Sequence, residues 1–231
     1  MPDDTHGLVL GVKGVEANIG DHVCGLYTGD AQRDEIILAF LEAGLAAGDK
    51  CICVVDGTDP AEIVARLGTR VDATGFAATK QLEVISSAAM YLRSGTFAAD
   101  EVIGAWKAAI SDVMYDGRFD VVRAVETWSR RDVVPDMQEL LLLESEMNRY
   151  LPLYPQVVLC MYDLDRFGGG MLVNLLRTHP LVLVSGMLIR NPYFLTPDAL
   201  LADKASGQGV TPSSKPMEAA EWFSDVTTGS T

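Results

Sequence analysis

From Gly20 to Val55 the chain reads G-D-H-V-C-G-L-Y-T-G-D-A-Q-R-D-E-I-I-L-A-F-L-E-A-G-L-A-A-G-D-K-C-I-C-V-V. This is the strand, loop, helix, strand order of a phosphate-binding unit. A cradle of the form G-x-x-x-x-G-K-[ST] uses glycines so that backbone N–H groups can approach the anion, a Lys for the terminal phosphates and a hydroxyl for Mg²⁺. Here Gln32 replaces the last Gly, Arg33 the Lys and Asp34 the hydroxyl. Asp30, Asp34 and Glu35 also put negative charge where a helix N-terminus would otherwise attract phosphate. The frame suits nucleotide and the loop is degenerate, with Arg33 as its cationic remnant. Further on, Val121–Val125 leads to Glu126, the place of a Mg²⁺-supporting acid. Without the Lys and the hydroxyl, phosphoryl transfer lacks most of its electrostatic stabilisation, so no enzymatic activity is expected. Glu126 is expected to pair with Arg123, Arg130 or Arg131.

A second group of reactive side chains is His22 and Cys24 on one strand, Cys51 and Cys53 on the next, and Cys160 on a later one. Alternation puts each pair on a common strand face, where thiolate and imidazole could bind metal. Their spacing is unlike the turn-borne C-x₂-C of structural zinc, and free Cys commonly packs as a small hydrophobe. Core packing is therefore the reading taken, with His22, Cys24, Cys51 and Cys53 as the alternative and no metal expected. A cysteine nucleophile would need a neighbouring base, for which only His22 and His179 are available. Four cysteines in apparent core strands also fit reduced thiols rather than a disulfide framework.

The elements that must position these residues follow from periodicity. Strands are expected at His22–Tyr27, Cys51–Val55, Leu82–Ile85, Val121–Val125, Val157–Tyr162 and Leu181–Ser185, with Met187–Arg190 returning antiparallel at an edge. Helices are expected from an Asp30 cap to Gly48, and over Pro60–Leu67, Ala99–Tyr115, Pro135–Tyr150 and Met171–Leu176. Strands apolar throughout and alternating with amphipathic helices imply an α/β three-layer sandwich with a mostly parallel central sheet. Residues 1–18 read as an arm that adds an edge strand, 19–195 as the domain, and 196–231 as a tail with a short helix near Met217–Phe223.

In an open parallel sheet, ligands bind at the carboxyl ends of the strands. That selects Tyr27, Thr28, Arg33, Asp56, Glu126, Trp128, Tyr162, Asp163 and Arg166 as a small-molecule pocket with aromatic walls and polar anchors. Arg166-Phe167-Gly168-Gly169-Gly170 is the loop expected to move on binding. Glu144 and Asn148 share a helix face, directed either at the pocket mouth or at solvent. His179-Pro180 and Asn191-Pro192 read as backbone devices that fix the edge hairpin. A formal net charge of −14 over 231 residues opposes direct nucleic-acid binding, which rests on phosphate neutralisation by Lys and Arg. No apolar run approaches the roughly 20 residues of a membrane span and Met1-Pro2-Asp3-Asp4 lacks signal-peptide character, so a cytoplasmic protein is expected.

The blocks G-D-H-V-C-G-L-Y, V-R-A-V-E-T-W-S, L-E-S-E-M-N, V-L-C-M-Y-D with Arg166-Phe167, R-T-H-P-L-V-L-V-S-G and N-P-Y-F resemble, in this order, the MEDS domain. That is a sensory domain named for methanogen and methylotroph proteins and a dichloromethane-responsive repressor, and the resemblance spans about residues 18–195. It implies a relative of RecA-type ATPases of the circadian-clock class that has lost its catalytic loops and senses a small-molecule effector. It also implies output to a separate regulatory protein, a histidine kinase, an anti-sigma factor or a DNA-binding regulator, since no effector module accompanies the sensory blocks. The residues leave any cofactor unidentified, and a homo-oligomer is compatible with the chain.

Overall fold

A computed structural model describes residues 7–129, 133 and 135–206. In chain order the elements are β1 (Leu8–Val9), β2 (Glu16–Ala17), β3 (His22–Tyr27), α1 (Gly29–Ala47), β4 (Lys50–Val55), α2 (Pro60–Leu67), α3 (Ala73–Ala78), β5 (Leu82–Ser86), α4 (Ser87–Tyr91), α5 (Ala99–Asp116), β6 (Val122–Trp128), α6 (Met137–Tyr150), β7 (Gln156–Asp163), α7 (Gly169–Leu176), β8 (Leu181–Val184), β9 (Met187–Arg190) and α8 (Pro197–Ser206). Contacts divide the chain into a unit ending at Pro197 and a second from Asp198, described as far as Ser206 by helix α8.

Seven strands form one sheet in the order β5-β4-β6-β7-β3-β8-β9, and only the β8–β9 pair is antiparallel. Every residue of β4 and β7 is buried, because both strands lie inside a sheet covered on two sides, which is why Cys51–Val55 and Val157–Tyr162 within them read as unbroken apolar runs. The chain leaves β3 through α1 toward β4, and leaves β7 through α7 across β3 toward β8. Connections thus diverge at the β3–β7 pair, which makes its carboxyl end a switch point. One face carries α1, α2 and α3, packed on Val23, Cys51, Cys53, Val125 and Leu159. The other carries α4, α5, α6 and α7, packed on Cys24, Val54, Ala124, Cys160 and Tyr162.

Several sequence expectations need correction. β1 and β2 pair only with each other, so the arm does not extend the central sheet; Leu10, Val15 and Ala17 instead join the core on the α1 side. α1 begins after Thr28, not Asp30, and α6 begins after Asp136, whose side chain caps the Gln138 N–H at 2.8 Å. β6 runs on to Trp128, which places Glu126 inside the strand. α3 and α4 escaped periodicity because elements of six and five residues are too short to show one, although Asp72 and Ser86 cap them. The expected pairing of Glu126 with Arg123 does not occur: alternation sends Arg123 to the α1 face, where its Nε donates to Asp49 at 2.5 Å. Arg130, Arg131 and Met217–Phe223 lie outside the described residues.

Helix α1 lies so close to the sheet that a Cβ at Gly44 would stand 2.7 Å from both Arg123 Cδ and Cys51 Sγ. Gly44→Val is expected to lower unfolding free energy by about 1–3 kcal/mol through overpacking, read as a lower urea midpoint with an unchanged slope.

Candidate functional site

The nine strand-end residues fall into four local arrangements. Arg33 is buried, and its Nε and one terminal nitrogen donate to Asp34 Oδ1 at 2.9 and 2.7 Å while the other reaches Asp30 at 3.2 Å. Arg66 also pairs with Asp34. Gln32 folds back so that its Oε1 accepts from the Thr28 N–H at 2.7 Å. The loop that would hold phosphate is thus closed by its own side chains. Tyr27 and Asp163 sit side by side in register on the α1 face, with Arg166 3.8 Å from Asp163. Asp56 is fully buried and binds loops together, accepting from Ser87 Oγ at 2.9 Å, Ser129 N at 3.0 Å, Ser129 Oγ at 2.7 Å and Val133 N at 3.1 Å.

Glu126, Trp128 and Tyr162 lie on the opposite face, within a buried polar cluster whose other members come from distant segments. Glu126 is directly across from Cys160, and the thiol donates to its Oε1 at 2.9 Å. The Tyr91 hydroxyl donates to Glu126 Oε2, and the Tyr91 ring stacks on Trp128 at 4.8 Å. On the far side of Cys160, His22 Nε2 lies 3.2 Å from the sulfur and 3.2 Å from Glu144 Oε2. His179 Nε2 is 3.4 Å from the same Glu144 oxygen, and Tyr162 donates to Oε1 at 2.5 Å. His22, Glu144, Cys160 and His179 each present one donor atom, all within 4.8 Å of one another.

The outer partners fix which nitrogens face inward. Asn148 Nδ2 donates to the carbonyls of Glu144 at 2.9 Å and Thr178 at 2.7 Å, so its Oδ1 must be the acceptor that faces His22 Nδ1 at 3.2 Å. His179 Nδ1 donates to the Leu175 carbonyl at 2.8 Å. Both rings therefore carry their proton on Nδ1 when neutral and turn the lone pair of Nε2 toward Glu144. Burial, then the neighbouring His179, lowers the His22 pKa. Burial alone would raise the Glu144 carboxyl, yet its close contacts with His179 and His22 outweigh it and hold it well below the usual carboxylate range. Burial, then the charge of Glu144, pushes Glu126 up to about 7. Cys160 is raised well above an ordinary thiol by burial and by Glu126.

Of this cluster, the strand-end rule found Glu126, Trp128 and Tyr162. It missed Tyr91, which carries no periodic signal in so short a helix. The i, i+4 pair Glu144 and Asn148 was visible, and it faces the sheet, not solvent. His179, taken as a backbone device, also places its ring in the cluster. The alternative metal set does not assemble, because His22 and Cys24 face α6 while Cys51 and Cys53 face α1.

Burial raises the Cys51 and Cys53 thiols to about 12 each. Since the thiolate is the nucleophile, neither is expected to react with iodoacetamide at pH 8 in the folded protein, and both react once it is unfolded, as mass spectrometry would show. The folded pKa exceeds the unfolded value of about 8.5, so the stability each thiol contributes is full below that pH and is lost as pH rises toward about 12. Rapid labelling of the folded protein would contradict this placement.

No curated protein matches the chain. The family described as MEDS, the MEthanogen/methylotroph, DcmR Sensory domain, matches residues 21–180, a span that holds β3 through the turn after α7 and with it His22, Glu126, Glu144, Cys160 and His179. With well over half of the chain inside that match, this protein belongs to the MEDS sensory-domain family.

Proposed function

We propose that this sensory domain is a non-enzymatic regulator that takes up a small effector beside Tyr91 and transmits its presence to a separate regulatory protein. The observation that carries this reading is the buried relay Tyr91–Glu126–Cys160–His22–Glu144, which runs inward from beneath the α4–α5 groove through a core of hydrocarbon and aromatic rings. A buried polar network adds little to stability compared with well-packed apolar side chains, so its presence supports a role in specificity or switching. At its outer end, Met90, Tyr91, Arg93, Glu101, Val102 and Ala105 line a groove of about 270 Å³ between α4 and α5. Phe97 packs edge-on against both Tyr91 and Trp128, which gives this end aromatic walls. A compound of a few heavy atoms that hydrogen-bonds to Glu126 would compete with the Tyr91 hydroxyl and reset the relay.

Output is assigned to the other end. His179 follows α7 and precedes β8, and the adjoining β8–β9 hairpin exposes Met187 and Ile189. A shift at Glu144 would reach this apolar edge through His179. The engagement of Arg33 by Asp30 and Asp34 weighs against the competing reading of a nucleotide-operated switch.

The test is thermal unfolding, in the presence of a chelator, against small halogenated and one-carbon compounds and nucleotides. A compound at about a hundred times its Kd should add about 2.7 kcal/mol of stability. Tyr91→Phe should remove that shift while leaving the fold intact by circular dichroism. A shift with ATP accompanied by phosphate release would contradict the proposal.

A further inference from the structure

The four inward-facing donors of the cluster pose an electrostatic problem that its own atoms do not resolve. With both imidazoles protonated on Nδ1, the Nε2 lone pairs of His22 and His179 point at an anionic Glu144 oxygen, and the Cys160 sulfur adjoins them. Glu144 Oε2 and His179 Nε2 are buried and make no hydrogen bond of acceptable geometry. Buried polar atoms of this kind call for a partner. The two imidazole rings also approach to 4.2 Å between centroids, so charging both would set like charges against each other. What the centre lacks is a cation shared among four inward-facing donors.

We propose that His22 Nε2, His179 Nε2, Glu144 Oε2 and Cys160 Sγ form a closed tetrahedral site for a divalent metal ion of the zinc class. Zinc takes this mixture of imidazole, carboxylate and thiolate at about 2.0–2.3 Å, which makes the edges of such a tetrahedron roughly 3.3–3.7 Å. Three edges already stand at 3.2, 3.4 and 3.2 Å. The charges also close, since one thiolate and one carboxylate balance a dication and remove the penalty of an isolated buried charge. Forming the sulfur bond displaces the thiol proton to solvent, so uptake releases one proton for Cys160. The support around the ligands is what a metal site needs: Asn148 and the Leu175 carbonyl hold the two rings through Nδ1, and Tyr162 holds the other Glu144 oxygen. Four protein donors leave no open position, which makes the ion a clasp joining β3, α6, β7 and the turn after α7, not a catalytic centre.

The site shares Cys160, His22 and Glu144 with the relay but none of the groove's lining; because the effector assay is run in chelator, either can fail alone. The experiment strips the full chain of metal and titrates it with Zn²⁺ and, in parallel, Co²⁺. One equivalent should bind, raise the unfolding midpoint, and with Co²⁺ give tetrahedral visible bands together with a thiolate-to-metal charge-transfer band. Cys160→Ser should abolish the charge-transfer band, and His179→Gln should weaken affinity at least about tenfold. Cys53→Ser, a thiol on the opposite face, should leave the spectrum intact. A folded wild-type chain that binds no Co²⁺, or a charge-transfer band that survives Cys160→Ser, would overturn the site.

Discussion

A carboxylate with no access to water is stable only where fixed groups replace its hydration, and beneath α5 and α6 that constraint falls on Glu144. Tyr162 from β7 donates to one oxygen, while His22 from β3 and His179 from the turn after α7 converge on the other. Those partners lie far apart in sequence, so the carboxylate can be satisfied only when β3, β7, α6 and the α7–β8 turn dock together. The same requirement sets the rotation of α6 about its own axis, with Asn148 one turn further on tied to Thr178 and His22.

The two faces of the sheet carry different tasks. Against α1, α2 and α3 the strands present Val, Leu, Met and the two high-pKa thiols, a packing surface whose charged groups are paired near its edges, as in Arg33 with Asp34 and Arg123 with Asp49. Against α5 and α6 the same strands alternate to His22, Glu126, Cys160 and Tyr162. Among the described residues no helix is long and apolar enough to cross a bilayer. The polar groups are gathered inside one face and end at Tyr91, itself buried beneath the groove between α4 and α5.

The sheet was legible in sequence because strands covered on both sides must be apolar at every position, as Cys51–Val55 and Val157–Tyr162 are. The helix α1 was legible from Ile37, Phe40, Leu41 and Leu45 and from the Gly48 stop. The cluster was legible only in pieces. Glu144 and Asn148 declared a shared face, but which way it turned depends on docking against strands that local periodicity does not see. His179 carried two roles, and the proline after it drew attention to the backbone one. The degenerate phosphate loop attracted attention as motif chemistry, whereas its side chains satisfy one another locally and leave Arg33 engaged.

The central claim is that two imidazoles, one carboxylate and one thiol converge on a point that needs a cation. Nitrogen-15 NMR of the imidazole rings, with and without one equivalent of Zn²⁺, tests it most directly. The account predicts that His22 and His179 both keep their Nδ1 protons while both Nε2 resonances move to metal-bound positions at the same equivalence point. Nε2 resonances that stay in place through the titration, or rings protonated on Nε2 and bare on Nδ1 in the metal-free protein, would contradict it.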